Sequence, residues 1–190
     1  MTGWLNWLNW LNWQTAGLVV AALLFFWGVG AYNRLMSLRN AIGDAFVQLG
    51  THLKERSEAC DKLLAAVAPR LTSEQATFDA LASAQAESQA AIQAARAKPW
   101  APDPVGSLAV ASALHAAALT RLLSLLDHQA ELRSETGIDA LVNELKLIER
   151  QRAFTRQVFN QAVGQYNEAL NQFPTRVLAN LYGFKEARSL

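Results

Sequence analysis

From Ala16 to Tyr32 the chain reads AGLVVAALLFFWGVGAY, with no charged or strongly polar side chain, and beyond Tyr32 its apolar positions change to a spaced rhythm. A helix that is apolar on every side suits lipid, whereas one apolar stripe suits a packed bundle. At 1.5 Å per residue, Trp13 to Tyr32 covers ~30 Å, the thickness of a bilayer core. Trp13 and Tyr32 bracket the run, where amphipathic aromatic rings prefer the interface. A helix also pairs its own backbone polar groups and so can enter lipid. The stripe that follows comprises Leu35, Leu38, Ile42, Ala45, Phe46, Leu49, Leu53, Cys60, Leu63 and Val67. Arg39, Asp44, Lys54, Glu55 and Asp61 fall between them on the wetter face. No proline interrupts from Gln14 to Ala68. The pattern therefore predicts one unbroken helix up to Pro69, its second half projecting ~50 Å beyond the bilayer.

Three more helices are expected. Thr72, with Gln75 three residues on, fits a capping box that opens an Ala-, Gln- and Ser-rich helix to about Ala97. KPWAPDP, Lys98 to Pro104, is expected to break the chain at each proline. A Leu-rich helix follows from about Val105 to Ser134, Gly137 marks a turn, and a last long helix runs from about Ile138 to Gln172 before Pro174. No segment alternates like a strand. The predicted fold is all-α, an N-terminal transmembrane helix continuous with the first helix of an antiparallel up-and-down bundle. It divides into a Trp/Asn-repeat interfacial segment (1–14), a transmembrane helix (15–33), a cytoplasmic helical bundle (34–174) and a short amphipathic tail (175–190).

Charge sharpens this division. Lys plus Arg number 17 and Asp plus Glu 16, and none of them precedes Arg34. Such balance removes the basic excess that a nucleic-acid surface needs. Arg34 and Arg39 follow the span and none precedes it, so the positive-inside rule places the N-terminus outside and the helical domain in the cytoplasm. A cleaved signal peptide ending near Val29, Gly30 and Ala31 is the alternative. It lacks the usual basic start, and the helical pattern runs straight through the site.

Ahead of the span stands WLNWLNWLNW, an unvarying three-residue repeat that carries Trp4, Trp7, Trp10 and Trp13. On an α-helix that spacing drifts about 60° per step and wraps the rings round the axis; a 3₁₀ helix would align them. Either form suits a bilayer interface, and Asn6, Asn9 and Asn12 offer amides for self-association there.

Candidate chemistry is sparse. His52, His115 and His128 are the only histidines, and none is spaced to share a metal face with another. His128 and Glu131 form one weak pair, and His115 falls near the apolar stripe of its helix, as a core histidine does. Cys60, the single cysteine, excludes an internal disulfide and reads as a small core residue. No phosphate loop or nucleophile elbow occurs. No catalytic residue, metal, cofactor or small-molecule substrate is therefore expected. Gln48, close to the stripe of Phe46 and Leu49, and Asn160 and Asn167, seven apart on one helix face, are expected to set register between the first and last helices.

Two segments carry a resemblance. YNRLMSLRNAIGDAFVQLGTHLKER, Tyr32 to Arg56, is similar to the juxtamembrane signature of the LemA family, through Tyr32, Asn33, Leu35, Leu38, Arg39, Phe46, Gln48, Leu49, Leu53, Lys54 and Arg56. AFTRQVFNQAVGQYNEALNQFP resembles its second signature through Arg156, Phe159, Asn160, Ala162, Val163, Tyr166, Asn167, Leu170, Phe173 and Pro174, and Gly183 and Phe184 resemble its closing Gly-Phe segment. The Pro-Asn-Leu-Val stretch usual after the first signature is absent, where Ser57 to Leu64 reads SEACDKLL, which marks a divergent member. The resemblance implies a bacterial inner-membrane protein with a cytoplasmic helical bundle and no established enzymatic activity. The expected function is a membrane-anchored scaffold that self-associates, with the bilayer and a second copy as partners. The alternative is an adaptor or regulatory subunit of another membrane protein.

Overall fold

A computed structural model describes residues 3–129 and 137–190 of the chain, with side chains described from Trp13 onward. Helix α1, Gly3–Val67, is 65 residues long and unbroken, which makes it ~97 Å from end to end. Its α-helical backbone runs through the Trp/Asn repeat, so of the two conformations open to that repeat the α-helix is the one adopted. Gly43 and Gly50 do not interrupt it, because three-four burial on both sides outweighs a propensity cost of about 1 kcal/mol each.

The two halves of α1 differ in exposure. Leu18, Val19, Leu23, Phe25 and Phe26 are all exposed, whereas from Ala31 onward Leu35, Ile42, Phe46, Leu49, Leu53, Leu63 and Val67 are buried. The first half is long and apolar enough to cross a membrane. By length and composition the same holds for helix α3, Pro102–His128. In that helix, however, Leu108, Leu119, Leu122 and Leu126 are spent on the bundle core.

The remaining elements, among the described residues, are a 3₁₀ turn at Thr72–Glu74, α2 (Gln75–Ala97), α3, α4 (Ile138–Asn171) and α5 (Thr175–Leu181). The expected capping box is not formed: Thr72 lies in the 3₁₀ turn, and Gln75 instead donates to Asp79 Oδ1 four residues on at 2.9 Å. The prolines also act differently from expectation. Only Lys98 to Ala101 leaves the helical path, while Pro102 and Pro104 lie inside the first turn of α3. There a missing N–H has no helical partner to lose, and the fixed φ favours initiation. The expected end of α3 near Ser134 falls outside the described residues; the helix is described to His128.

Helices α1 and α4 pack antiparallel in a steady register. Phe46 meets Phe159 edge-on at 6.0 Å, Arg56 meets Glu149 at 3.4 Å, and Lys62 meets Glu144 at 3.8 Å. Helices α2 and α3 form the second pair. It is bonded to α1 through Gln89 to Ser57 (2.6 Å) and Gln85 to Asp61 (2.7 Å). The interior comprises two apolar clusters. The proximal one, nearer the apolar half of α1, holds Leu35, Ile42, Phe46, Leu108, Phe159 and Tyr166; the distal one holds Cys60, Leu63, Leu81, Leu122 and Leu145.

Candidate functional site beside the apolar half of the first helix

Tyr32 and Arg34, within one turn of α1, and Arg39, more than a turn further on, follow the apolar run, and each finds a different partner. The Tyr32 ring lies 5.4 Å from that of Tyr182 and 5.9 Å from that of Phe184. Such tilted aromatic pairs are favourable because ring edges and faces carry opposite partial charge. Arg34 Nη1 reaches Gln172 Oε1 at 3.5 Å. The Arg39 guanidinium lies 3.7 Å above the centre of the Trp100 ring. That contact ties α1 to the turn between α2 and α3 and gives Arg39 a place in the bundle. Leu38 packs against the proximal core, and Asn33 is exposed. Trp13, at the other end of the run, is exposed.

After α4 the chain turns back toward the apolar half of α1. Helix α5 buries Thr175 and Ala179 against the bundle, and Leu178 Cδ1 lies 4.0 Å from where a Cβ on Gly28 would stand. The helix ends in a Schellman motif. Phe184 N–H bonds Ala179 O at 2.9 Å, Gly183 N–H bonds Asn180 O at 3.3 Å, and Gly183 takes φ +70°. A left-handed residue in that place favours glycine because a Cβ would crowd the backbone. The chain leaves the motif extended.

Asn160 and Asn167 clamp this extended segment. Asn167 Nδ2 donates to Ala187 O and its Oδ1 accepts from Ala187 N–H, both at 2.8 Å. Asn160 makes the same pair with the Leu190 N–H and main-chain oxygen, again at 2.8 Å. Two helical turns advance ~10.5 Å and three extended residues ~10 Å, so the spacing of seven matches the tail's register. Arg156 Nε donates to the Leu190 oxygen at 2.9 Å, and the Tyr166 hydroxyl donates to Lys185 O at 3.2 Å. Burial pushes the Tyr166 phenol above its ordinary pKa. The two asparagines therefore do not pair α1 with α4, as expected; they act as a strand partner for a segment with no sheet to join. Gln48 is likewise corrected: it is exposed, since two residues beyond Phe46 is 200° round the helix from the buried stripe.

The polar groups that do bridge the helices lie between the two apolar clusters. Arg56 and His115 are each only 1% exposed. Arg56 Nη1 reaches Glu149 Oε1 at 3.4 Å, and Arg152 Nη2 reaches Glu149 Oε2 at 2.8 Å. Arg56 Nη2 stands 2.9 Å from His115 Nδ1, and His115 Nε2 stands 3.8 Å from Cys60 Sγ. A guanidinium only donates, so His115 Nδ1 accepts and the ring proton sits on Nε2, pointing at the sulfur. A histidine in that tautomer donates to Cys60 and cannot take its proton. Burial pushes the Cys60 thiol up to about 12 and, with Arg56 nearby, pulls His115 down to about 4. His115 is thus a core histidine, and Cys60 is a neutral core thiol. His128 Nδ1 lies 2.7 Å from Ser124 O; its suggested partner, Glu131, is outside the described residues.

These observations define a class: an all-helical bundle carried on an apolar N-terminal helix, closed at that end by a clamped C-terminal segment. The profile of the LemA family matches residues 45–190, and the chain belongs to that family. The match takes in Gln48, Arg156, Asn160, Asn167, Phe173, Pro174, Gly183 and Phe184, and it runs through the Ala-rich middle. It begins at Ala45, so Tyr32, Asn33, Leu38 and Arg39 lie ahead of it. A search of curated proteins finds no match.

Proposed function

We propose that this protein is a membrane-anchored, non-enzymatic scaffold that holds its bundle at the cytoplasmic face of a bacterial inner membrane and self-associates there. One observation carries the reading: along a single unbroken helix, residues from Ala16 to Gly30 are apolar and, Gly28 apart, exposed, and burial recurs every three or four residues from Ala31 onward. A folded chain exposes so long an all-round apolar surface only where something other than water covers it. Arg34, the first charge, lies just past the switch and supports the inside orientation. Membership of a family not known for enzymatic activity, and a Cys60–His115 pair held in the unreactive tautomer, support the non-enzymatic part. Self-association is supported by the Trp/Asn repeat, whose amides find little competing water at an interface.

The test is alkaline extraction of membranes, followed by mass measurement of the detergent-purified full chain by light scattering. The protein is expected to stay in the membrane pellet and to run as a discrete oligomer that deletion of Trp4 to Trp13 weakens. Recovery in the aqueous fraction would remove the anchor, and a strictly monomeric species would remove the self-association. A second reading, an adaptor for another membrane protein, is favoured by Leu147 and Phe154, exposed and seven apart on α4. Crosslinking from position 154 to one stoichiometric foreign partner would select it.

A further inference from the structure

We propose that α5 and its flanking residues form a second membrane contact, an apolar stripe seated in the cytoplasmic interface of the same bilayer that holds the span. The inference rests on the reading that residues 15–33 lie in lipid. Three observations carry it. First, Val177 and Leu181 lie four residues apart on one side of α5 and are 61% and 77% exposed, with Phe173 in the turn before the helix 86% exposed and Tyr182 just after it also exposed. The opposite side, Thr175 and Ala179, is the one that packs on the bundle, so the stripe faces away from the core.

Second, the position of α5 is fixed relative to the span. Leu178 reaches Gly28, and Tyr182 meets Tyr32. Gly28 lies four residues inside the apolar run from Tyr32, a depth of ~6 Å. An interfacial helix buries its apolar face about 5–10 Å into the headgroup–acyl boundary. A span placed with Tyr32 at that boundary therefore brings α5 to the same depth without further adjustment. Third, the flanking charges suit the place. Arg34, Arg176 and Lys185 are exposed around the stripe, where they can reach lipid phosphates, while the neighbouring carboxylate of Glu186 is held by Asn171 Nδ2 at 2.6 Å. An amphipathic ring such as that of Tyr182 is a usual occupant of such a boundary, and a phenylalanine such as Phe173 suits the apolar face turned to the acyl chains.

The test places an environment-sensitive fluorophore on Leu181→Cys or, as control, on Lys146→Cys in the full chain, reconstituted at low protein-to-lipid ratio. The vesicles contain phosphatidylcholine and phosphatidylglycerol, with spin-labelled lipids as quenchers. Native Cys60 is buried and stays unlabelled. Position 181 is expected to show blue-shifted emission and a quenching loss several times that at 146, greater for shallow than for deep quenchers. Chain retained in the vesicles with a water-like, unquenched label at 181 would overturn the second contact while leaving the anchor intact. A label shielded from water but insensitive to lipid quenchers, and dependent on protein density, would overturn it in favour of a second copy. Failure of the chain to stay with the vesicles would overturn the anchor itself.

Discussion

Replacing Asn167 with alanine removes two 2.8 Å hydrogen bonds at once, one to each main-chain polar group of Ala187. A bond of this kind contributes a net ~0.5–1.5 kcal/mol, and a half-buried site lets water recover part of what is lost. The extended segment should therefore lose about 2 kcal/mol of local stability. That corresponds to roughly 30-fold faster opening, since each ~1.4 kcal/mol is a factor of ten. The loss stays local because the apolar contacts of α4, including Phe159 and Val163 in the proximal core, are untouched. The assay is hydrogen exchange on the full chain in detergent, followed through peptides covering Phe184 to Leu190. Gln165→Ala, an exposed change on the same helix, serves as control. Unaltered exchange at Ala187 would refute the clamp. So would an acceleration shared equally by the core amides of α4, which would show that the asparagine supports the bundle rather than the tail.

Two further outcomes follow from the buried polar layer. The folded chain keeps His115 neutral to about pH 4, whereas an unfolded histidine takes up a proton near 6.5. Unfolding therefore binds a proton in that window. This contribution is complete above pH 6.5 and falls away by roughly 3 kcal/mol as pH drops toward 4. Urea midpoints measured across that range should show the fall, and His115→Gln should flatten it. Cys60, buried and with its thiol raised to about 12, should resist iodoacetamide at pH 8 in the folded protein and react once urea is added. Rapid alkylation of the native state, seen by intact mass, would contradict the neutral core thiol.

The three-four rhythm made the helices legible, because burial and periodicity are local properties of one chain segment. The unbroken α1 and the bounds of α4, expected at Ile138 to Gln172 and found at Ile138–Asn171, came from that rhythm. Arg56 was less accessible to such reasoning. A charged residue reads as solvated, and what buries it are His115 and Glu149, which lie 59 and 93 positions away. Asn160 and Asn167 stood out by spacing, but their partner did not. An extended segment of seven residues leaves no periodic trace, and KEARSL reads as readily as the end of a helix. The signal that could have located it is Gly183, which permits the left-handed turn that converts a helix end into an extended run. Pro102 and Pro104 misled for a related reason: proline stops a helix from within but starts one from its first turn.

Because α1 runs unbroken from its apolar half to the far end of the bundle, the proposed placement of residues 15–33 in lipid would make its angle in the bilayer a lever. From Leu35 to Val67 the arm is ~48 Å, so a 10° change of tilt sweeps its tip sideways by about 8 Å. A thinner membrane tilts such a helix further and a thicker one rights it. On that placement, local thickness would be converted, through geometry alone, into the lateral reach of the bundle.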